Sequence, residues 1–264
     1  MNIFLKELKA HRKSLIMWCI GIIFLVGSGM SKFAGLSSSG QSMNELMAGM
    51  PKSLQAIMGT GNLDISKAIG YFGVLYLYLL LMATIHAAML GANIISKEER
   101  DKTAEFLFVK PVSRSQIISS KLLAALVNVV IFNIITWLSS FYLVGRFSEG
   151  ESINVDIATA MAGLFILQLL FLVIGAAIAA VSKNPKRTVS IATAILLITY
   201  ILSIVIDLNE KIDYMKYLSP FKYFEAKNIL DGGLDTVFVL LSFVMITALT
   251  IATFVFYKKR DLHL

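Results

Sequence analysis

Six stretches of the chain contain no Asp, Glu, Lys or Arg: Leu15 to Ser31, Ala68 to Ile95, Leu122 to Val144, Ile157 to Val181, Thr188 to Ile206 and Thr236 to Tyr257. Each reaches about 17 residues or more, the length at which an apolar helix crosses the hydrocarbon of a bilayer. All 24 Lys and Arg and all 17 Asp and Glu fall outside these runs. A charge at the bilayer centre costs at least ~2.5 kcal/mol, which accounts for that exclusion. The runs are continuous and rich in Leu, Ile and Ala, whereas barrel strands show about ten residues of alternating polarity. The sequence therefore predicts an all-α integral membrane protein with six transmembrane helices in a single domain over residues 1–264. A mean hydropathy of +0.75 with 16% charged residues agrees, since soluble domains carry about 25% charged residues.

The segments between spans set the orientation. The amino end, the 96–121 and 182–187 segments and the carboxyl end carry 16 Lys and Arg; the longer set at 32–67, 145–156 and 207–235 carries 8. Basic residues accumulate on the cytoplasmic side, so both termini are expected there, with 32–67 and 207–235 as outer loops. The net charge of +7 is then mostly topology. It flanks membrane spans without forming an aromatic-interleaved basic stripe, so nucleic acid is not an expected partner. Lys6, Lys9, Arg12 and Lys13 precede an apolar run without an A-x-A-like cleavage site and read as a retained signal anchor. Phe4, Leu5 and Leu8 opposite those charges suit an amphipathic helix in the interface, or else a simple charged anchor.

Several chemistries lack their residues. No Gly-Lys pair occurs, so G-x-x-x-x-G-K-[ST] is absent, and ATP-driven work would need an ATPase on another chain. Cys19 is the one cysteine, and His11, His86 and His263 do not assemble into an evident metal site from the sequence. No span holds a carboxylate, Lys or Arg, which disfavours a carrier coupled through intramembrane acids. His86 reads as a packed, hydrogen-bonded histidine rather than a catalytic one, for no Gly-x-Ser-x-Gly elbow accompanies it. Asn93, Asn128, Asn133 and Gln168 are the main uncharged polar side chains of the spans and need partners, as contacts between helices or along a substrate path.

Local signals fill in the connections. Pro51 is expected to split the first outer loop into two short amphipathic helices. Ser113 suits an N-cap after Lys110-Pro111. Gly175 to Ser182 is rich in small residues that permit close helix approach. Tyr214, Tyr217, Phe221, Tyr223 and Phe224 suggest a loop lying along or dipping into the outer leaflet. The densest charge, Lys97, Glu98, Glu99, Arg100, Asp101 and Lys102, leads through Glu105 to apolar Phe106, Leu107, Phe108 and Val109. A charged segment with an apolar edge suits docking into a partner's groove.

Three segments carry a family likeness. Glu98-Glu-Arg-Asp-Lys-Thr-Ala-Glu-Phe-Leu-Phe-Val-Lys-Pro-Val-Ser-Arg114 is similar to the E-x-x-x-G-T-x-E-x-L-x-x-x-P-V-S-R run of ABC-2 type permeases. Leu46 to Gly59 and Tyr217 to Phe224 resemble less specific patterns of the same family. The resemblance implies the ABC-2 (type V exporter-like) permease fold, a membrane subunit made separately from its ATPase, in the bacterial cytoplasmic membrane. It implies a coupling segment at 97–114 that meets the ATPase through Glu98, Glu99, Arg100, Thr103, Glu105, Phe106, Leu107, Pro111, Ser113 and Arg114. Lys102 stands where the family often has Gly. Two cytoplasmic ATPase subunits that bind ATP and Mg, and a second permease subunit of the same or another kind, complete the implied assembly. The expected role is export of an amphipathic or hydrophobic substrate, such as a peptide, antibiotic or lipid. The other reading is a membrane sensor or scaffold that relays ligand binding without transport.

Overall fold

The computed structural model describes residues 2–38, 43–60, 63–103, 112–148, 150 and 153–259. These are largely helical, with no strand among the described residues. The helices are α1 (Ile3–Ser38), α2 (Met43–Ala48), α3 (Lys52–Met58), α4 (Ala68–Arg100), α5 (Arg114–Gly145), α6 (Asn154–Val181), α7 (Thr188–Leu208), α8 (Ala226–Gly232) and α9 (Thr236–Lys259). Two 3-10 segments, Glu210–Leu218 and Pro220–Phe224, lie between α7 and α8. The six long helices α1, α4, α5, α6, α7 and α9 are each long and apolar enough to cross a membrane. One end of the bundle carries the start of α1, the ends of α4, α6 and α9 and the starts of α5 and α7, and is called the terminal end below. The other carries α2, α3, α8 and the 3-10 segments.

Helices α4 and α6 form the centre, packed against each other more extensively than any other pair, with α1 on α5 and α9 on α6. A sequence apolar on all sides cannot place them there; two glycines do. A Cβ at Gly91 would sit 2.0 Å from the Leu172 carbonyl oxygen, and one at Gly175 would sit 2.3 Å from that of Ala88. Backbone thus meets backbone, and dispersion contacts replace the hydrophobic drive that lipid removes. The peripheral helices turn large apolar side chains outward, among them Met17, Phe24, Ile198 and Val244, as lipid-facing surfaces do. Buried hydroxyls bond back to their own helices: Thr84 to Leu80, Thr136 to Phe132, Ser242 to Phe238 and Thr253 to Leu249, all through the carbonyl four residues earlier.

Two expectations are corrected here. The amino end is not a separate interfacial helix, because α1 runs unbroken from Ile3 to Ser38. Its buried face is Glu7, His11, Leu15, Cys19, Ile22, Val26 and Met30, a spacing of three and four residues that carries two polar groups into the bundle. The aromatic loop turns inward at the bundle end, which corrects only the first of its two expected placements, lying along the leaflet rather than dipping in. Tyr214 and Tyr217 are exposed, but Phe221, Tyr223 and Phe224 are buried. Tyr223 stacks on Phe238 at 4.7 Å and Phe221 meets Phe171 at 5.3 Å. Ser219 donates to the Thr199 carbonyl at 2.7 Å, so the segment plugs the bundle end. The break at Pro51 is found as expected, between α2 and α3.

Candidate coupling face

The terminal end is organised by the last turns of α4. Lys97, Glu98, Glu99 and Arg100 belong to this helix, so the connection to α5 is only 101–113. The helix ends in a Schellman closure. Thr103 N–H donates to the Glu98 carbonyl at 2.8 Å and Lys102 N–H to that of Glu99 at 3.3 Å. Lys102 takes a φ of 55°, the one positive φ outside glycine among the described residues. That is the left-handed conformation glycine adopts without cost, which explains why the similar permeases often carry Gly at this point. On the far side, Ser113 accepts from Gln116 N–H at 3.2 Å while the Gln116 side chain accepts from Ser113 N–H at 3.0 Å. This capping box begins α5.

Four polar links radiate from this end. Lys97 of α4 pairs with Glu7 of α1. Glu98 pairs with Lys121 of α5, whose ammonium is fully buried and also donates to the Ile94 carbonyl at 2.5 Å. Thr188 at the start of α7 donates to Ser96 of α4 at 2.9 Å. Arg114 of α5 donates to the Lys258 carbonyl of α9 at 2.9 Å. Three of the four converge on α4 between Ser96 and Glu98. Arg100 lies on the same turn, donating from Nη1 to Asn93 at 2.7 Å and from Nε to Asp101 at 2.9 Å. That hydrogen bond from Arg100 holds the Asp101 carboxyl below its ordinary range.

The candidate coupling residues therefore divide. Glu98 is buried and paired with Lys121 inside the chain. Glu99 and Arg100 are half-buried on the last turn, Thr103 and Ser113 are exposed, and Arg114 joins α9. Glu105, Phe106, Leu107 and Pro111 lie outside the described residues. Lys121 escapes sequence reading because its charge marks the edge of an apolar run; its spacing of seven residues from Arg114 along α5 is the available signal.

The uncharged polar candidates also separate. Asn133 donates to Gln168 at 3.2 Å and to the Met161 carbonyl at 3.3 Å, tying α5 to α6. Asn128 donates within α5, to the Ala124 carbonyl at 2.8 Å. Asn93 and Asn128 line a cavity of about 320 Å³ shared by α1, α4 and α5, with Lys186 and Val189 on its rim. His11 and His86, far apart in sequence, both reach it. His86 packs between Trp18 and Phe132, but its Nδ1 is buried without a hydrogen-bond partner among the described residues. The expected hydrogen-bonded histidine is corrected to a packed one at that atom.

At the opposite end a second cavity, about 390 Å³, lies between α3, α4, α7 and α8, with Lys52, Gln55, Tyr76, Asp207 and Lys227 among its walls. Asp207 accepts from Lys222 at 2.8 Å and Lys227 at 3.0 Å, and both lysines also pair with Glu225. Burial pushes the Glu225 carboxyl up against the opposing pull of Lys222. Lys227 stands above its ordinary value, because Glu225 and Asp207 outweigh the burial that would lower it.

Six helices long and apolar enough to cross a membrane, tied together by polar links at one end, are the framework of a multi-pass membrane protein. The chain belongs to the ABC-2 family of transporter proteins, whose family model matches residues 1–262. It is a multi-pass membrane protein, the permease of an ABC transporter, and the family associates with an ABC ATPase partner. No curated protein matches the chain.

Proposed function

We propose that this permease belongs to an exporter in the bacterial cytoplasmic membrane and moves an amphipathic or hydrophobic substrate, a peptide, antibiotic or lipid, outward. In this reading the terminal end faces the cytoplasm, and two ATPase subunits binding ATP and Mg engage the 97–114 segment of each of two permease subunits. The observation that carries the reading is the convergence on one turn of α4. Glu7, Lys121 and Thr188 bind residues 96–98 directly, so a displacement of the adjoining connection reaches α1, α5 and α7 together.

The division of residues gives the test. Charge reversal at Glu105 and Arg114 should abolish co-purification with the ATPase. Replacing Glu98 and Lys121 together by leucine should leave co-purification intact but lower ATP-dependent flux in vesicles. Undiminished association after the reversal removes the docking assignment. Ligand binding without any flux in the complete assembly would instead identify a relay that signals without transport.

A further inference from the structure

The cavity between α1, α4, α5 and α7 has a built polarity that the coupling reading touches only at Arg100. Its mouth carries Arg100 and Lys186, and no Asp or Glu lines it among the described residues. Lys186 has no ion-pair partner among the described residues. Arg100 reaches back along α4 with Nη1 to Asn93, as helical side chains lean toward the amino end, while its Nε pairs with exposed Asp101, so an anionic head would share Arg100 with that carboxylate. Its guanidinium therefore sits near the Asn93 level, and His86 lies seven residues further in, about 10 Å along the axis. The walls between these levels are mixed, with Leu15, Trp18, Met89 and Leu90 apolar and His11, Ser14 and Asn128 polar. At the inner end, His86 is 4% exposed and its Nδ1 has no partner among the described residues. An unpaired polar atom at membrane depth costs free energy until a ligand group meets it.

We infer that this cavity binds an anionic amphiphile, with a phosphate or carboxylate head against Arg100 and Lys186 and an apolar body that brings a hydrogen-bonding group to His86. The inference rests on the export reading only in making such an amphiphile the cargo; binding itself requires no ATPase.

Trp18 supplies the reporter. The chain has 2 tryptophans, and Trp137 is 42% exposed on the outer surface of α5. The Trp137→Phe protein, reconstituted in phosphatidylcholine vesicles, should have Trp18 quenched more strongly by dibrominated phosphatidylglycerol or by a brominated fatty acid than by dibrominated phosphatidylcholine. Whichever anionic quencher is favoured identifies the head group. Arg100→Gln and Lys186→Gln should each weaken apparent affinity about fivefold, the effect of one cation near an anionic surface. The Trp18→Phe protein, read through Trp137, should show no preference and confirms in each variant that the helices are inserted. A fatty acid hydroxylated near mid-chain should displace the brominated acid better than its unhydroxylated parent, and His86→Leu should erase that difference. Equal quenching of Trp18 by anionic and zwitterionic lipids, or a preference that survives both glutamine substitutions, overturns the site. Normal quenching without coupled ATPase activity would keep the site and remove the export reading; the converse would do the reverse.

Discussion

At the residue scale the most consequential pair is Glu98 with Lys121. A buried ammonium deprived of its carboxylate is strongly destabilising, by about 3–5 kcal/mol, whereas apolar replacement of both partners is often neutral. Glu98→Leu alone should therefore lower the thermal midpoint in detergent steeply, and Glu98→Leu combined with Lys121→Met should recover most of it. An additive loss in the double variant would show that the two charges do not act as a pair. Lys102 offers the opposite sign. Its left-handed backbone costs roughly 1 kcal/mol with a side chain and almost nothing without one, so Lys102→Gly should raise the midpoint, as read by the same melt. The cap at Ser113 was legible because it depends on a few adjacent residues. The burial of Glu98 and Lys121 was not: local charge marks a helix end but does not reveal which neighbour completes the pair.

Among the elements, α4 and α6 show what hydropathy leaves out. Apolar runs give the depth of each helix in the bilayer and its approximate limits, and all six were readable. They do not give neighbours, since a lipid-facing leucine and a packed one look alike in sequence. The small residues of α6 signalled close approach, while the matching surface on α4, Ala88, Gly91 and Ala92, was not singled out. Gly91→Ala should destabilise the bundle by about 3 kcal/mol, the upper end of overpacking costs, because the atom it meets is backbone that cannot rotate away. Gly35→Ala, with nothing within 4 Å of its added methyl group, is the matched control in the same assay. At the other end, Asp64 fastens the region of α2 to the start of α4. It accepts from Asn44 at 2.7 Å and Ser66 at 2.5 Å, and these bonds, Asn44 first, hold its carboxyl below the ordinary range. A depressed carboxyl contributes stability above its unfolded pKa that is lost as pH falls through the folded one. Proteolytic sensitivity near residues 43–66 should therefore rise below about pH 4, and Asn44→Ala should weaken that dependence.

For the molecule as a whole, the charge asymmetry and the polar links both mark the terminal end. Single cysteines introduced in a Cys19→Ala background give the topology. Ser113→Cys should react with an impermeant maleimide only in inside-out vesicles, and Leu54→Cys only in right-side-out ones; the reverse pattern would invert the proposed orientation. The plug at 219–224 escaped sequence reading because the same aromatics serve an interfacial belt or a packed seal, and only their partners on α6, α7 and α9 distinguish the two. The backbone contact between α4 and α6 also has a consequence for biogenesis. Gly91 is synthesised roughly 80 residues before Gly175, so at about 5–20 residues per second the bare stripe on α4 waits roughly 4–16 s for its partner. During that interval only lipid or the insertion machinery covers it, which makes the yield of inserted protein, as well as its stability, sensitive to this one position.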